Sequence, residues 1–111
     1  MPYMLNGREV QLSQDPVEKD GRHFVPLKEI VENLTGRVDW DNNTKTARST
    51  IGQWTATFVN GESTVDVNGQ KVQLSAPPYV EKDMMYVPWD FFRDVYGYKA
   101  NMEGEKLTVT L

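Results

Sequence analysis

Apolar and polar residues alternate with a period of two through most of this chain, and the alternation gives way to a helical period in two places. Leu5-Asn6-Gly7-Arg8-Glu9-Val10-Gln11-Leu12 alternates around Asn-Gly, a dipeptide that accepts the positive φ angles of a tight type I′ hairpin. A VEKD turn at 17–20 leads to Phe24-Val25, and a second at 80–83 leads to Tyr86-Val87. Aromatic and β-branched residues suit strands at both points. Arg37-Val38-Asp39-Trp40 alternates, a polar turn follows at Asp41-Asn42-Asn43-Thr44, and 45–50 extends. Trp54-Thr55-Ala56-Thr57-Phe58-Val59 and Ser63-Thr64-Val65-Asp66-Val67 flank Asn60-Gly61, and Lys106-Leu107-Thr108-Val109-Thr110-Leu111 alternates to the last residue.

The first helical stretch opens at Pro26, since the first position of a helix needs no N–H. Leu27, Ile30, Val31 and Leu34 then recur at i, i+3, i+4 and i+7, which places them on one face. Lys28, Glu29, Glu32 and Asn33 take the wet face, and Gly36 stands where a left-handed C-cap is expected. Pro88, Trp89, Phe92, Val95, Tyr96 and Gly97 repeat the arrangement. This spacing predicts helices near 26–35 and 88–96.

The two stretches belong to a longer echo. Asn6-Gly7 returns 62 positions later as Asn68-Gly69, Val10-Gln11-Leu12-Ser13 as Val72-Gln73-Leu74-Ser75, and Val25-Pro26 as Val87-Pro88. VEKD returns at 63, and Gly36 as Gly97 at 61. Ordered landmarks with drifts of one residue indicate two copies of one unit. The expectation is a single compact domain, 1–111, made of repeats at about 3–50 and 65–111 joined by a β-hairpin segment at 51–66. Between the copies' shared frames, Gly21-Arg22-His23-Phe24 becomes Met84-Met85-Tyr86. These positions are expected on the connection entering each helix, where packing constrains least.

Composition narrows the function classes. With 111 residues, 39% hydrophobic and 25% charged, the chain is long enough for its own core and ordinary enough to fold. Net charge is −4, from 12 basic and 16 acidic side chains that are interspersed, so no basic face is available for nucleic acid. The absence of cysteine excludes disulfides and Cys-based zinc sites. No apolar run approaches the roughly 20 residues of a membrane span, and no leader pattern is visible.

Val67-Asn68-Gly69, Gly21-Arg22-His23-Phe24-Val25-Pro26-Leu27-Lys28, Arg37-Val38-Asp39-Trp40-Asp41 and Tyr86-Val87-Pro88 together resemble the copper amine oxidase N-terminal-like domain, or stalk domain, family. The resemblance covers nearly the whole chain. It implies a small α+β unit, an antiparallel sheet wrapped round a helix, often in tandem, carried by exported surface proteins of Gram-positive-type bacteria without an agreed activity of its own. The second copy departs from the family phrase, with Met84-Met85 for Gly-Arg and Asn101-Met102 for Trp-Asp.

Candidate chemistry is sparse. Copper(II) in an amine oxidase requires several histidines, and only His23 is present; Met84, Met85 and Met102 fit core filling better than Cu(I) binding. Asp39-Trp40-Asp41-Asn42-Asn43-Thr44 starts like a calcium loop, but Thr44 and Thr50 stand where Gly and Glu belong. Asp39 and Asp41 share a strand face opposite Trp40, as a carboxylate pair for acid–base work would, yet 16 acidic residues produce such pairs by chance. No nucleophile elbow accompanies His23.

Aromatic residues are the stronger clue, because an exposed ring beside Asp or Asn can stack on a sugar. Trp54 and Tyr79, with Asp39 and Asp41, are the candidate ligand-binding residues.

The expectation is therefore an α+β fold, antiparallel sheets wrapped round two helices in an internal tandem repeat of a β-β-α-β-β-like unit. Its function is a non-catalytic extracellular or cell-surface spacer or adhesion module with no cofactor and no metal. Cell-wall polysaccharide or a surface protein is the expected partner, nucleic acid is not, and the terminal strand at 106–111 is a candidate dimer edge. The alternative is a purely structural stalk that presents a neighbouring domain.

Overall fold

A computed structural model describes residues 2–111. Strands β1 (Tyr3–Leu5) and β2 (Arg8–Val10) form a hairpin around Asn6-Gly7, both at positive φ. Strands β3 (Val17–Lys19) and β4 (Arg22–Pro26) form a second around Asp20-Gly21. Helix α1 (Leu27–Asn33) follows, then β5 (Arg37–Asp41), β6 (Thr46–Ile51) and β7 (Trp54–Val59) as a meander. Strands β8 (Thr64–Val67) and β9 (Gln70–Gln73) close around Asn68-Gly69, and β10 (Tyr79–Glu81) and β11 (Met84–Pro88) around Lys82-Asp83. Helix α2 (Phe91–Asp94) and the hairpin of β12 (Lys99–Glu103) and β13 (Lys106–Thr110) complete the chain.

The fold is α+β, with mostly antiparallel strands in three sheets of order β12-β13-β1-β2, β10-β11-β4-β3 and β5-β6-β7-β8-β9. The first two sheets each join an early hairpin to a late one, and the third is a meander of consecutive strands. In the second sheet β4 and β11 pair antiparallel, with Val25 opposite Val87, Phe24 opposite Pro88 and Tyr86 opposite Pro26. In the first sheet β1 and β13 run parallel, Tyr3 opposite Leu107 and Leu5 opposite Val109. This pair is the exception to the antiparallel expectation. It also removes the terminal strand as a dimer edge: β13 lies between β12 and β1, so its backbone groups are used on both sides.

Both helices are shorter than their periodicity suggests. Pro26 ends β4 with ψ 119° and caps α1 from outside, so the helix begins at Leu27. Trp89 and Asp90 form a turn before Phe91, and Gly97 at φ 75° stops α2. The end of α1 is closed by Gly36 N–H donating to Val31 O (2.9 Å) and Thr35 N–H donating to Glu32 O (3.2 Å), the Schellman pattern. The left-handed residue in it is Thr35 (φ 69°), one position before the expected glycine. Gly36 is needed for closeness instead: a Cβ there would lie 2.6 Å from the Thr50 carbonyl oxygen and 2.7 Å from Val31 Cγ1.

Leu27, Ile30 and Val31 bury the face of α1 that the periodicity predicts, and the helix packs on β4, β5, β6 and β11. Phe24, Leu34, Phe58, Val65, Leu74, Val87, Phe92 and Leu107 are buried; Val38, Trp40, Val72 and Val95 are half-buried. Tyr3, Leu5, Val25, Ala47, Ile51, Ala56, Phe91 and Val109 complete the core. The positions that vary between the two VEKD phrases are not on loose connections. Arg22 to Phe24 and Met84 to Tyr86 are strand residues, and Phe24, Met85 and Tyr86 are buried. The buried polar residue Ser49 shares a 2.8 Å hydrogen bond with the Tyr96 hydroxyl, linking β6 to the residues after α2. Burial pushes the Tyr96 hydroxyl up to about 12.

Candidate functional site

A groove of about 400 Å³ lies between α1, β5, β6 and the β10–β11 turn. Its size falls in the range of small-ligand and side-chain pockets. Leu27 and Met85, on α1 and β11, and Ala47 on β6 supply buried apolar surface. Val38 and Trp40 stand beside them because β5 alternates: Arg37, Asp39 and Asp41 are exposed while Val38 and Trp40 turn inward. Both stay half-buried, so the groove has an aromatic wall. Met84 adds a flexible thioether.

The rim carries Lys28, Glu29 and Glu32 from α1 and Asp83 from the turn, three carboxylates against one amine. One Glu29 oxygen accepts from the Ser13 N–H (3.2 Å) and hydroxyl (3.0 Å). Glu32, Asp83 and Lys28 have no ion-pair partner among the described residues. Lys82 and Asp83 both adopt positive φ, 52° and 62°, in a two-residue turn, a conformation unfavourable for side chains other than glycine. The other VEKD turn places Gly21 at the second position.

The candidates from the sequence fall on three strands, β5, β7 and β10. Asp39 and Asp41 point away from Trp40, as the alternation predicts. Asp39 pairs with exposed Arg37 at 3.6 Å. Asp41 Oδ1 accepts from the N–H groups of Asn43 (2.9 Å) and Thr44 (3.3 Å), an ordinary Asx turn. Trp54 shares its strand face with buried Ala56 and Phe58 and packs on the core from the end of β7. Tyr79 is held among aromatic neighbours, stacked on Tyr86 (5.2 Å between centroids) and edge-on to Phe24 (5.0 Å), with Lys19 Nζ 4.0 Å from its ring centre. Burial, then the charge of Glu81, raises its hydroxyl pKa.

The groove was hidden from the sequence because its walls come from three separated segments. The usable signals were Trp40 at the open end of an alternating strand and Met84-Met85 in place of Gly-Arg. A second, shallower hollow of about 370 Å³ lies among Arg93, Tyr98, Asn101 and Thr108.

The family model described as the copper amine oxidase N-terminal domain matches residues 4–111. Comparison with curated proteins returned no match. The side chains do not fit the copper centre that the family's name suggests. His23 is the single imidazole, and among the described residues no three His, Asp or Glu side chains converge. Likewise, no described helix is long and apolar enough to cross a membrane.

Proposed function

Because the chain belongs to the copper amine oxidase N-terminal domain family, whose domain is a non-catalytic accessory, we propose that it is a non-catalytic spacer at the cell surface. The observation that carries this reading is the parallel pairing of β1 with β13. Parallel neighbours place the start of one strand and the end of the other at opposite ends of the pair. Tension between residues 2 and 111 therefore loads their backbone hydrogen bonds together, in shear. Leu107 N–H donating to Pro2 O (2.8 Å), Asn6 N–H to Val109 O (2.8 Å) and Leu111 N–H to Asn6 Oδ1 (2.9 Å) extend the clamp to both ends.

The same reading takes the chain as one domain built from two copies of a unit. Its support is the β4–β11 register. Val25 faces Val87, its own counterpart 62 positions away, and Phe24 and Tyr86 each face the other copy's proline. Such pairing is what two like units related by a two-fold axis produce. Each copy also lends its first hairpin to a sheet completed by the other's last.

The spacer reading is tested by placing fluorescent reporters at both ends and measuring their separation by single-molecule energy transfer. A narrow distribution unchanged by salt supports it. A distribution as broad as that of a Gly/Ser linker of equal length overturns it.

A second reading, adhesion to cell-wall glycan or to a surface protein, is favoured by the Trp40 groove. Retention on insoluble cell-wall polysaccharide, lost on Trp40→Ala with the fold intact, would support the glycan form.

A further inference from the structure

We propose that the groove beside Trp40 is a docking site for a basic, apolar segment of a neighbouring protein, one or two large apolar side chains flanked by Lys or Arg. This inference rests on the adhesion reading and is independent of the spacer reading. Three observations carry it.

The first is shape and lining. A cavity of about 400 Å³ with Leu27 and Met85 at buried positions and Trp40 and Met84 half-buried beside them suits one or two apolar side chains. Methionine lets the wall adapt. The indole face suits the stem and charge of Lys or Arg, since a cation over Trp is attracted by the ring.

The second is charge. Glu29, Glu32 and Asp83 outnumber Lys28 at the rim. Glu32 and Asp83 are exposed and form no ion pair among the described residues. A neutral sugar would leave that charge unmatched, and an anionic glycan would be repelled. A cation beside the inserted side chain complements it.

The third is strain. Asp83 is held at φ 62°, next to Lys82 at φ 52°, where the equivalent turn uses Gly21. A non-glycine residue costs about 1 kcal/mol or more in this conformation, somewhat less for Asp. Glycine would remove that strain and also remove the carboxylate from the rim. Strained residues of this kind concentrate at working surfaces.

The test uses the full chain, labelled for NMR, and the capped hexapeptide Lys-Lys-Leu-Phe-Lys-Lys. A hexapeptide with Glu for every Lys and an N-acetylglucosamine tetramer serve as comparisons. The expected result is saturable one-to-one binding of the basic peptide, with shifts confined to α1, β5 and the β10–β11 turn. The double variant Glu32→Gln, Asp83→Asn keeps the turn and should weaken binding roughly fivefold, the loss of two exposed charge contacts. Trp40→Leu should weaken it further while the acidic peptide stays unbound throughout. Unchanged affinity in the folded double variant overturns the proposal. So do shifts scattered over the acidic surface, or groove shifts produced by the sugar and not by the basic peptide. None of these outcomes bears on the separation of the chain ends, so the spacer reading stands or falls separately.

Discussion

Replacing Gly36 with alanine should destabilise the fold. The added Cβ would sit 2.6 Å from the Thr50 carbonyl oxygen, 2.7 Å from Val31 Cγ1 and 3.0 Å from Ile51 Cβ. Ordinary contact needs roughly 3.4 Å or more. Thr50 cannot simply swing aside, because it is paired on both flanks, with Arg37 on β5 and Thr55 on β7. Val31 is fully buried. Forcing atoms into such a site costs about 1–3 kcal/mol. Alanine returns about 0.4–1 kcal/mol by restricting the unfolded chain. The net expectation is a loss of about 1–2 kcal/mol. Urea unfolding would show it as a lower midpoint at unchanged slope, and thermal unfolding as a fall of roughly 5–10 °C. Thr35→Gly provides the contrast. It relieves a β-branched residue at φ 69° and should raise stability by about 0.5–1 kcal/mol. If Gly36→Ala were neutral or stabilising while Thr35→Gly destabilised, the close-approach argument would be wrong.

Other outcomes follow from the same contacts. Ser49→Ala and Tyr96→Phe each orphan a buried hydroxyl of the 2.8 Å pair and should cost about 1–3 kcal/mol, while the double variant costs less than their sum; urea unfolding of all four proteins completes the cycle. Because the folded pKa of Tyr96 is raised to about 12 by burial, its contribution is complete below the unfolded value near 10 and is lost as pH rises from there toward 12. Tyr96→Phe should flatten that alkaline fall in stability. Asp83→Gly should stabilise the protein by about 0.5–1 kcal/mol through relief of the left-handed turn, again read by urea midpoint.

Much of the local structure was legible in the residues. Asn6-Gly7 and Asn68-Gly69 turn as their φ preferences dictate, and Leu27, Ile30 and Val31 face the core as their spacing predicts. What the residues did not disclose was mainly partnership across distance. Nothing in Lys106-Leu107-Thr108-Val109-Thr110 says that β1, about a hundred positions earlier, lies beside it. An alternating terminal strand reads equally well as an edge. Tyr86 looked like a variable connection residue because its burial depends on a sheet pairing between the two halves. Gly36 was recognised as a helix end, but its reason was tertiary, the approach of β6, and the left-handed angle fell on Thr35. The groove shares this origin, since Trp40 becomes a wall only when the β10–β11 turn is placed opposite it.

The central claim is that the first and last strands form a clamp loaded in shear. Single-molecule force spectroscopy tests it, and a chain without cysteine accepts engineered attachment points cleanly. Pulling between residues 2 and 111 loads the β1–β13 hydrogen bonds together. Pulling between residues 2 and 105 loads the same pair from one end and peels it bond by bond. Forced unfolding reports the barrier to unfolding along the pulling direction. A shear clamp gives a clearly higher unfolding force on the first axis than on the second at equal loading rate. Equal forces, or a lower force on the 2–111 axis, would contradict it.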